Sequence, residues 1–288
     1  TPEAFRDAVY RTDFGAFAEK AFRTLHPSSG FKGNWHIDAI SAALVGTLYG
    51  KTRRLVINLP PRSLKSELAS VAFPAFLLGL DPSARIVCVS YAQPLSSKLS
   101  RMCSTIIGSE WYRRIFPSTR LSKDTEEIIE TTKGGARLAT SIGGSVTGLG
   151  GNFIIIDDPV KPDEAASPAA LEKVTRYYRE VLSTRLDDKL TGVIILVMQR
   201  IHEDDLAGVL LRQDGWEHIC IPAIATRTET FSLGPGRSHV RRIGSLLHPE
   251  REPQTALDEA LQNLGSRAFE AQYQQSPIPA EGALIKLA

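Results

Sequence analysis

Between residues 53 and 220 the chain alternates short β-branched apolar runs with longer helical stretches. That rhythm admits little besides a sheet covered on both sides by helices. The runs fall at 54–59, 85–90, 127–131, 153–156, 191–198 and 216–221. Several are apolar on successive residues, as in Phe153-Ile154-Ile155-Ile156, which is the pattern of strands buried on both faces and paired mostly in parallel. Helices are expected at 66–80, 95–107, 168–186 and 203–212. Residues 1–50 also read as helical, from the spacing of Phe14, Phe17, Ala18, Ala21 and Phe22 and again across 37–48, and should pack beside the sheet. After Ile221 the texture changes. Residues 226–251 carry Gly234-Pro235-Gly236 and several arginines and read as an extended loop, and a last helix is expected at 255–275. The division is then a main α/β domain, 1–225, and a smaller unit, 226–288.

Two of the runs end in groups suited to phosphate chemistry. Leu55 to Ser66, LVINLPPRSLKS, is an apolar strand leading into a turn that closes on Lys65-Ser66, and Phe153 to Pro159, FIIIDDP, is an apolar strand ending in Asp157 and Asp158. Splitting a nucleoside triphosphate needs a lysine for the β and γ oxygens, a hydroxyl and a carboxylate to hold Mg²⁺, and a second carboxylate to orient water. All four are present in workable order. The turn departs from G-x-x-x-x-G-K-[ST], because Leu59 and Leu64 occupy the two glycine positions and Pro60 and Pro61 preset φ instead. Taken alone, each segment also reads as an ordinary feature, a surface turn in one case and a strand followed by a solvated turn in the other.

At 288 residues, 42% hydrophobic and 23% charged, the chain is long enough for one large core plus an appendage. A net charge of +2 is too mild to announce a nucleic-acid binder. Three cysteines, Cys88, Cys103 and Cys220, form no C-x-x-C pair, and the six histidines form no H-E-x-x-H pattern, which argues for a reducing compartment and against structural zinc. No signal segment opens the chain, and no apolar run nears the roughly 18 residues of a membrane span, so a cytosolic protein is expected.

With these motifs placed, the chain resembles the ATPase portion of the large terminase subunit, the motor that packages DNA into tailed-phage capsids. The likeness is carried by Trp35-His36, NLPPRSLKS, VSYAQPLSSKLS, ETTKGGARLATSIGGSVTG, IIIDDPVKP, LVMQRIHEDDLAG, LLHPEREP and AFEAQYQQSPIP, in family order along nearly the whole chain. It implies a P-loop NTPase fold with a RecA-like, mostly parallel sheet flanked by helices and a small C-terminal linker subdomain. The nuclease domain of full-length members is expected to be absent. ATP and Mg²⁺ are the implied cofactors. The implied partners are double-stranded DNA bound without sequence preference, a portal protein and the small terminase subunit, and the implied assembly is a homo-oligomeric ring whose subunit is a monomer in isolation. The implied location is the bacterial host cytoplasm, at the procapsid portal.

The resemblance also assigns residues. Pro61, Arg62, Ser63, Leu64, Lys65 and Ser66 would cradle the phosphates, with Lys65 on the β and γ oxygens, Ser66 and Asp157 holding Mg²⁺, and Asp158 activating water where relatives often carry glutamate. Gln199, in Val197-Met198-Gln199-Arg200, matches the coupling motif and would sense the γ phosphate, although Gln199 and Arg200 also read as the start of a turn. Trp35, His36 and Asp38 resemble the region that holds the adenine base. Relatives often place a neighbour-reaching arginine in the glycine-rich loop 143–151, where this chain has Leu149; Arg101, Arg137 and Arg200 are the substitutes, with Arg62 acting within its own subunit. DNA contacts would come from Arg237, Arg241, Arg242, Arg251, His239 and His248, which equally read as a solvated basic loop. Lys51, Arg53, Arg54, Arg113 and Arg114 read as ordinary surface charges. A helicase-like or repair ATPase and a nucleotide-regulated scaffold are the alternatives.

Overall fold

The structure is a computed structural model that describes residues 2–146 and 150–278. Three helices open the chain, α1 (Pro2–Thr12), α2 (Phe14–Leu25) and α3 (Trp35–Leu48). The core follows as β1 (Arg54–Asn58), a π-helical turn over Glu67–Ala72 running into α4 (Phe73–Leu80), β2 (Arg85–Ser90), α5 (Gln93–Gly108), α6 (Glu110–Ile115), β3 (Leu121–Asp124), β4 (Ile128–Thr131) and β5 (Ala136–Ser141). It continues with β6 (Phe153–Asp157), α7 (Pro168–Glu180), β7 (Val193–Met198), α8 (Leu206–Leu211) and β8 (Glu217–Cys220). A hairpin of β9 (Glu229–Ser232) and β10 (Ser238–Arg241) and a last helix α9 (Gln254–Gln272) end the described chain.

The sheet order is β3-β4-β5-β2-β6-β7-β1-β8, parallel from β5 through β8 and antiparallel only at β3 and β4. One strand, β7, separates β1 from β6. Register puts Asn58 beside Met198 and Asp157 beside Val197, so the lysine-bearing turn and the paired aspartates leave the sheet at the same edge. Open α/β sheets bind ligands outside the carboxyl ends of their strands.

The successive apolar residues of β1, β6 and β7 face two separate cores. One face packs Ile57, Ile155 and Ile195 under α2, α3, α4 and α5, and the other packs Val56, Ile154 and Leu196 under α7 and α8. On the first face sits an aromatic cluster of Phe14, Phe17, Phe73, Phe76, Trp111, Tyr112 and Phe116, with neighbouring ring centroids about 5 to 6.5 Å apart. A third, smaller core of Ala223, Leu257 and Phe269 holds α9 against the chain that leaves β8.

Three expectations change. Residues 226–251 are not simply an extended loop, because Glu229–Ser232 and Ser238–Arg241 pair as a hairpin; its strands are short and its turn glycines, Gly234 and Gly236, have positive φ. The helix at 255–275 is broken by Gly265 at φ 74°, ψ 159°. The helix after the lysine-bearing turn begins as a π-turn, and Pro74 supplies the reason. Proline has no N–H for the carbonyl four residues back and its ring crowds that carbonyl, which favours a wider turn. The carbonyl in question, that of Ser70, instead accepts from Arg137 Nη2 at 2.9 Å.

Candidate active site

The turn after β1 uses left-handed backbone without glycine. Arg62 (φ 59°) and Leu64 (φ 61°) both adopt a region that costs an ordinary residue about 1–2 kcal/mol. Leu64 therefore does conformationally what glycine does in the common motif, at an energetic cost borne by the surrounding fold. The turn thereby delivers Lys65 and Ser66 to the first helical positions facing the edge of the sheet.

There the expected groups converge. Lys65, 6% exposed, places Nζ 3.0 Å from Asp158 Oδ2 and donates to Gln199 Oε1 at 3.3 Å. Ser66 Oγ donates to Asp157 Oδ1 at 2.9 Å. Asp158, itself left-handed at φ 42°, accepts from the Gln199 backbone N–H at 3.2 Å, and its own N–H donates to the Val197 carbonyl at 2.9 Å. Lys65, Ser66, Asp157, Asp158 and Gln199 thus form one cluster assembled from the ends of β1, β6 and β7.

Asp157 is 1% exposed, and its carboxyl is held above the usual range, first by burial and then by the neighbouring Asp158 charge. Its Oδ2 has no hydrogen-bond partner; the Ser70 hydroxyl faces it without completing a bond. A buried, unpartnered carboxylate oxygen beside a serine hydroxyl fits a hard divalent cation. Among the described residues no group of three His, Cys, Asp or Glu gathers elsewhere to hold one. Mg²⁺ is commonly held by one or two protein oxygens plus substrate phosphates, so Ser66 and Asp157 are a sufficient protein share.

Around the cluster the sequence-derived assignments divide. Pro61 and Arg62 border the turn; Arg62 is exposed, with no hydrogen bond or ion pair among the described residues, and its charge is felt by the Tyr273 hydroxyl. Ser63 is buried, and His36 faces its backbone. Burial, followed by the charge of His248, pushes His36 down to about 3, so it is a neutral packing residue behind the loop. Trp35 and Asp38 are committed to the hairpin. Trp35 stacks on His239 with centroids 4.4 Å apart and packs against Phe231, while Asp38 pairs with Arg237 at 2.7 Å.

The proposed substitute arginines fare unequally. Arg137 is fully buried and serves the Ser70 carbonyl, which removes it as a group reaching a neighbouring subunit. Arg200 is also removed: it donates to both oxygens of Asp205 at 2.9 and 3.0 Å and to the His202 and Glu203 carbonyls. Asp205, 0% exposed, is the keystone there, also accepting from the Ile201 and Gly208 amides. A side chain at Gly208 would collide with the Glu203 carbonyl. Arg101 is exposed and, among the described residues, pairs only with Glu126, at 2.7 Å. Leu149 lies outside the described residues. Of the basic residues in the late segment, Arg241 is 2% exposed, donates to the Ala223 and Ser245 carbonyls and lies over Trp35, so it braces the hairpin and is not a DNA contact. Arg242 and Arg251 stay exposed.

Residues missed in the sequence sit just behind this edge. Asn58 donates to the Met198 carbonyl at 3.0 Å and accepts from His218 Nε2 at 2.8 Å, tying β7 and β8 to the end of β1. Gln275, left-handed at φ 56°, accepts from the Arg200 amide at 2.9 Å. A lone asparagine at the end of an apolar strand was the available sign for the first; the second depends on contacts across 75 residues.

No family model matches the chain, and no curated protein matches it in sequence. Among solved structures, a variant ATPase domain of the Thermus phage P74-26 large terminase superposes with TM-score 0.55 at 13% identity, covering 89% of this chain and 98% of that one. A second structure of that ATPase domain gives TM-score 0.52 at 12% identity, covering 89% and 97%. The HK97 bacteriophage large terminase gives TM-score 0.55 at 10% identity over 90% of this chain and 55% of its own length. At such identities the shared property is the fold, a mostly parallel sheet flanked by helices.

Proposed function

We propose that this chain is the ATPase motor domain of a viral DNA-packaging terminase, hydrolysing ATP to move double-stranded DNA into a procapsid. The observation that carries the reading is the convergence of Lys65, Ser66, Asp157, Asp158 and Gln199 at one edge of the sheet. The fold shared with terminase ATPase domains supports it.

In this reading Lys65 exchanges Asp158 and Gln199 for the β and γ oxygens of the bound nucleotide, and the positive end of the following helix adds to their stabilisation. Ser66 and Asp157 would hold Mg²⁺, which supplies charge neutralisation on the phosphate oxygens. Asp158, released by Lys65, orients the attacking water and accepts its proton. Gln199, anchored through its backbone to Asp158, would hydrogen-bond the γ phosphate. Arg62 and Arg101 are the exposed arginines left to serve a nucleotide in cis or in a neighbouring subunit. A ring on a portal protein with a small subunit, acting in the host cytoplasm, completes the proposal, and residues 226–288 are its linker subdomain. No helix among the described residues is long and apolar enough to cross a membrane.

Phosphate release from ATP with Mg²⁺ is the test, measured on dilute and concentrated chain with and without duplex DNA. Release is expected to be slow when dilute and faster when concentrated, since part of the site comes from a neighbour. Asp158→Asn should keep nucleotide binding and stop hydrolysis. No phosphate release under any condition overturns the proposal in favour of a nucleotide-regulated scaffold, and displacement of one strand from a duplex redirects it to a helicase.

A further inference from the structure

Four described non-glycine residues have left-handed backbone, and three of them, Arg62, Leu64 and Asp158, belong to the phosphate site. The fourth is Gln275, at the far end of the chain in the segment Tyr273-Gln274-Gln275. All three of these residues are fastened to the segments that leave β8 and β7. The Tyr273 carbonyl accepts from the Ala223 amide at 2.7 Å, and the Gln274 side chain both accepts from and donates to the Ile224 backbone, at 3.0 and 3.2 Å. Gln275, 5% exposed, accepts through Oε1 from the Arg200 amide at 2.9 Å, while its Nε2 donates to the Gln272 carbonyl.

The Arg200 amide is the peptide that follows Gln199. Gln199 in turn bonds Lys65 through its side chain and Asp158 through its backbone. A continuous hydrogen-bonded path, buried or half-buried along its length, therefore runs from α9 through Gln275, the 199–200 peptide and Gln199 to the lysine and the aspartate. Non-glycine residues persist in left-handed backbone where surrounding contacts over-determine them. For Gln275 those contacts are its two amide bonds, and one of them ends at the Arg200 amide, one residue from Gln199 of the cluster.

We infer that Gln275 is a positioning residue of the phosphate site. Resting on the reading of Lys65 and Gln199 as phosphate ligands, it fixes the 199–200 peptide so that Gln199 faces the γ phosphate, and it ties the position of α9 to what Lys65 holds. The fastening at Ala223 and Ile224 makes α9 move with the end of β8, so a change at Gln199 reaches the hairpin unit through main-chain contacts rather than through solvent.

The test uses the 288-residue chain with Gln275→Met, which keeps volume and removes both amide bonds, and Gln275→Glu, which keeps an acceptor for the Arg200 amide. Gln275→Met should lower kcat about tenfold with KM within about twofold, because a misplaced γ-phosphate group costs the transition state more than the ground state. Gln275→Glu should recover most of that loss. In the wild type, saturating MgATP should change amide hydrogen exchange at Arg200 and at 273–275 together; in Gln275→Met the change should stop at Arg200. Unaltered kcat and KM in Gln275→Met, with only a lower Tm, overturns the positioning role, as does failure of Gln275→Glu to recover activity. A wild type that neither binds nor hydrolyses nucleotide overturns the functional reading itself, and the two failures are told apart by the wild-type titration.

Discussion

The helical segment from Lys65 to Leu80 joins two regions built on opposite principles. At its far end Phe73 and Phe76 lie in an aromatic cluster whose polar atoms are satisfied: Tyr112 Oη donates to the Ala75 carbonyl at 2.8 Å and Trp111 Nε1 to Thr24 Oγ1 at 3.0 Å. At its near end Lys65 and Ser66 stand among left-handed residues, adjacent carboxylates and a buried oxygen without a partner. One end is relaxed and apolar, the other strained and charged. The difference teaches how stability and strain are kept apart: the cluster holds the segment in place so that the lysine end tolerates strain that would otherwise relax. The π-turn forced by Pro74, with Arg137 filling the Ser70 carbonyl, is the joint between them.

That contrast can be broken by experiment. The largest effect is expected from Lys65→Ala, which should abolish ATP turnover in a phosphate-release assay while leaving a folded chain, because in the proposed site the lysine meets developing charge and its contacts are the polar ones to Asp158 and Gln199. Phe17→Ala should do the reverse: it removes a fully buried ring, costing about 3–5 kcal/mol by chemical denaturation, with MgATP affinity of the folded fraction unchanged. If Phe17→Ala instead weakens nucleotide binding without loss of stability, the two ends are not independent.

A third prediction concerns acid. His36 is held at about 3 and His218 at about 4, both chiefly by burial, so each stays neutral in the folded chain while the unfolded chain protonates near 6.5. Their contribution to stability is therefore complete above 6.5 and is lost as pH falls through the window from 6.5 toward 4 and 3. Replacing both by glutamine should flatten that limb of a Tm-against-pH curve; an unaltered limb shows that neither is desolvated.

The smallest effect is expected at Arg62. Arg62→Gly should stay within about 0.5 kcal/mol of the parent, since relief of the left-handed backbone offsets the entropy of glycine. Arg62→Val should cost about 1–2 kcal/mol, as a branched Cβ suits that backbone poorly. Equal stabilities for the two variants would mean that the turn is not held in the left-handed region.

Much of this was legible before any coordinates. Strands β1, β2, β6 and β7 announce themselves because burial on both faces demands successive apolar residues, as in Val193–Met198, whereas β4 and β8 were read from short apolar runs and are partly exposed. Strand β5 was missed because its sequence, ARLATS, mixes a buried arginine and two hydroxyls into the pattern. The hairpin strands, ETFS and SHVR, are too short and too exposed to leave a periodic trace. At the site, Lys65, Ser66, Asp157 and Asp158 were singled out at the ends of two apolar strands, and the structure brings those two ends together across β7. Arg137 and Arg200 were misjudged for the opposite reason, since a guanidinium carries the same formula whether it reaches out to a neighbour or folds back on Asp205.

What the amino-acid order determined by itself was periodicity and chemistry: which stretches bury both faces, which turn can present a lysine and a serine, which strand ends in two acids. Tertiary structure alone decided that the turn is left-handed at Leu64, that Asp157 keeps one oxygen without a partner, and that Gln275 reaches back to the Arg200 amide. The reason is range. Local patterns are written in neighbours along the chain, whereas strain, desolvation and long-range hydrogen bonds exist only once segments distant in sequence are packed against one another.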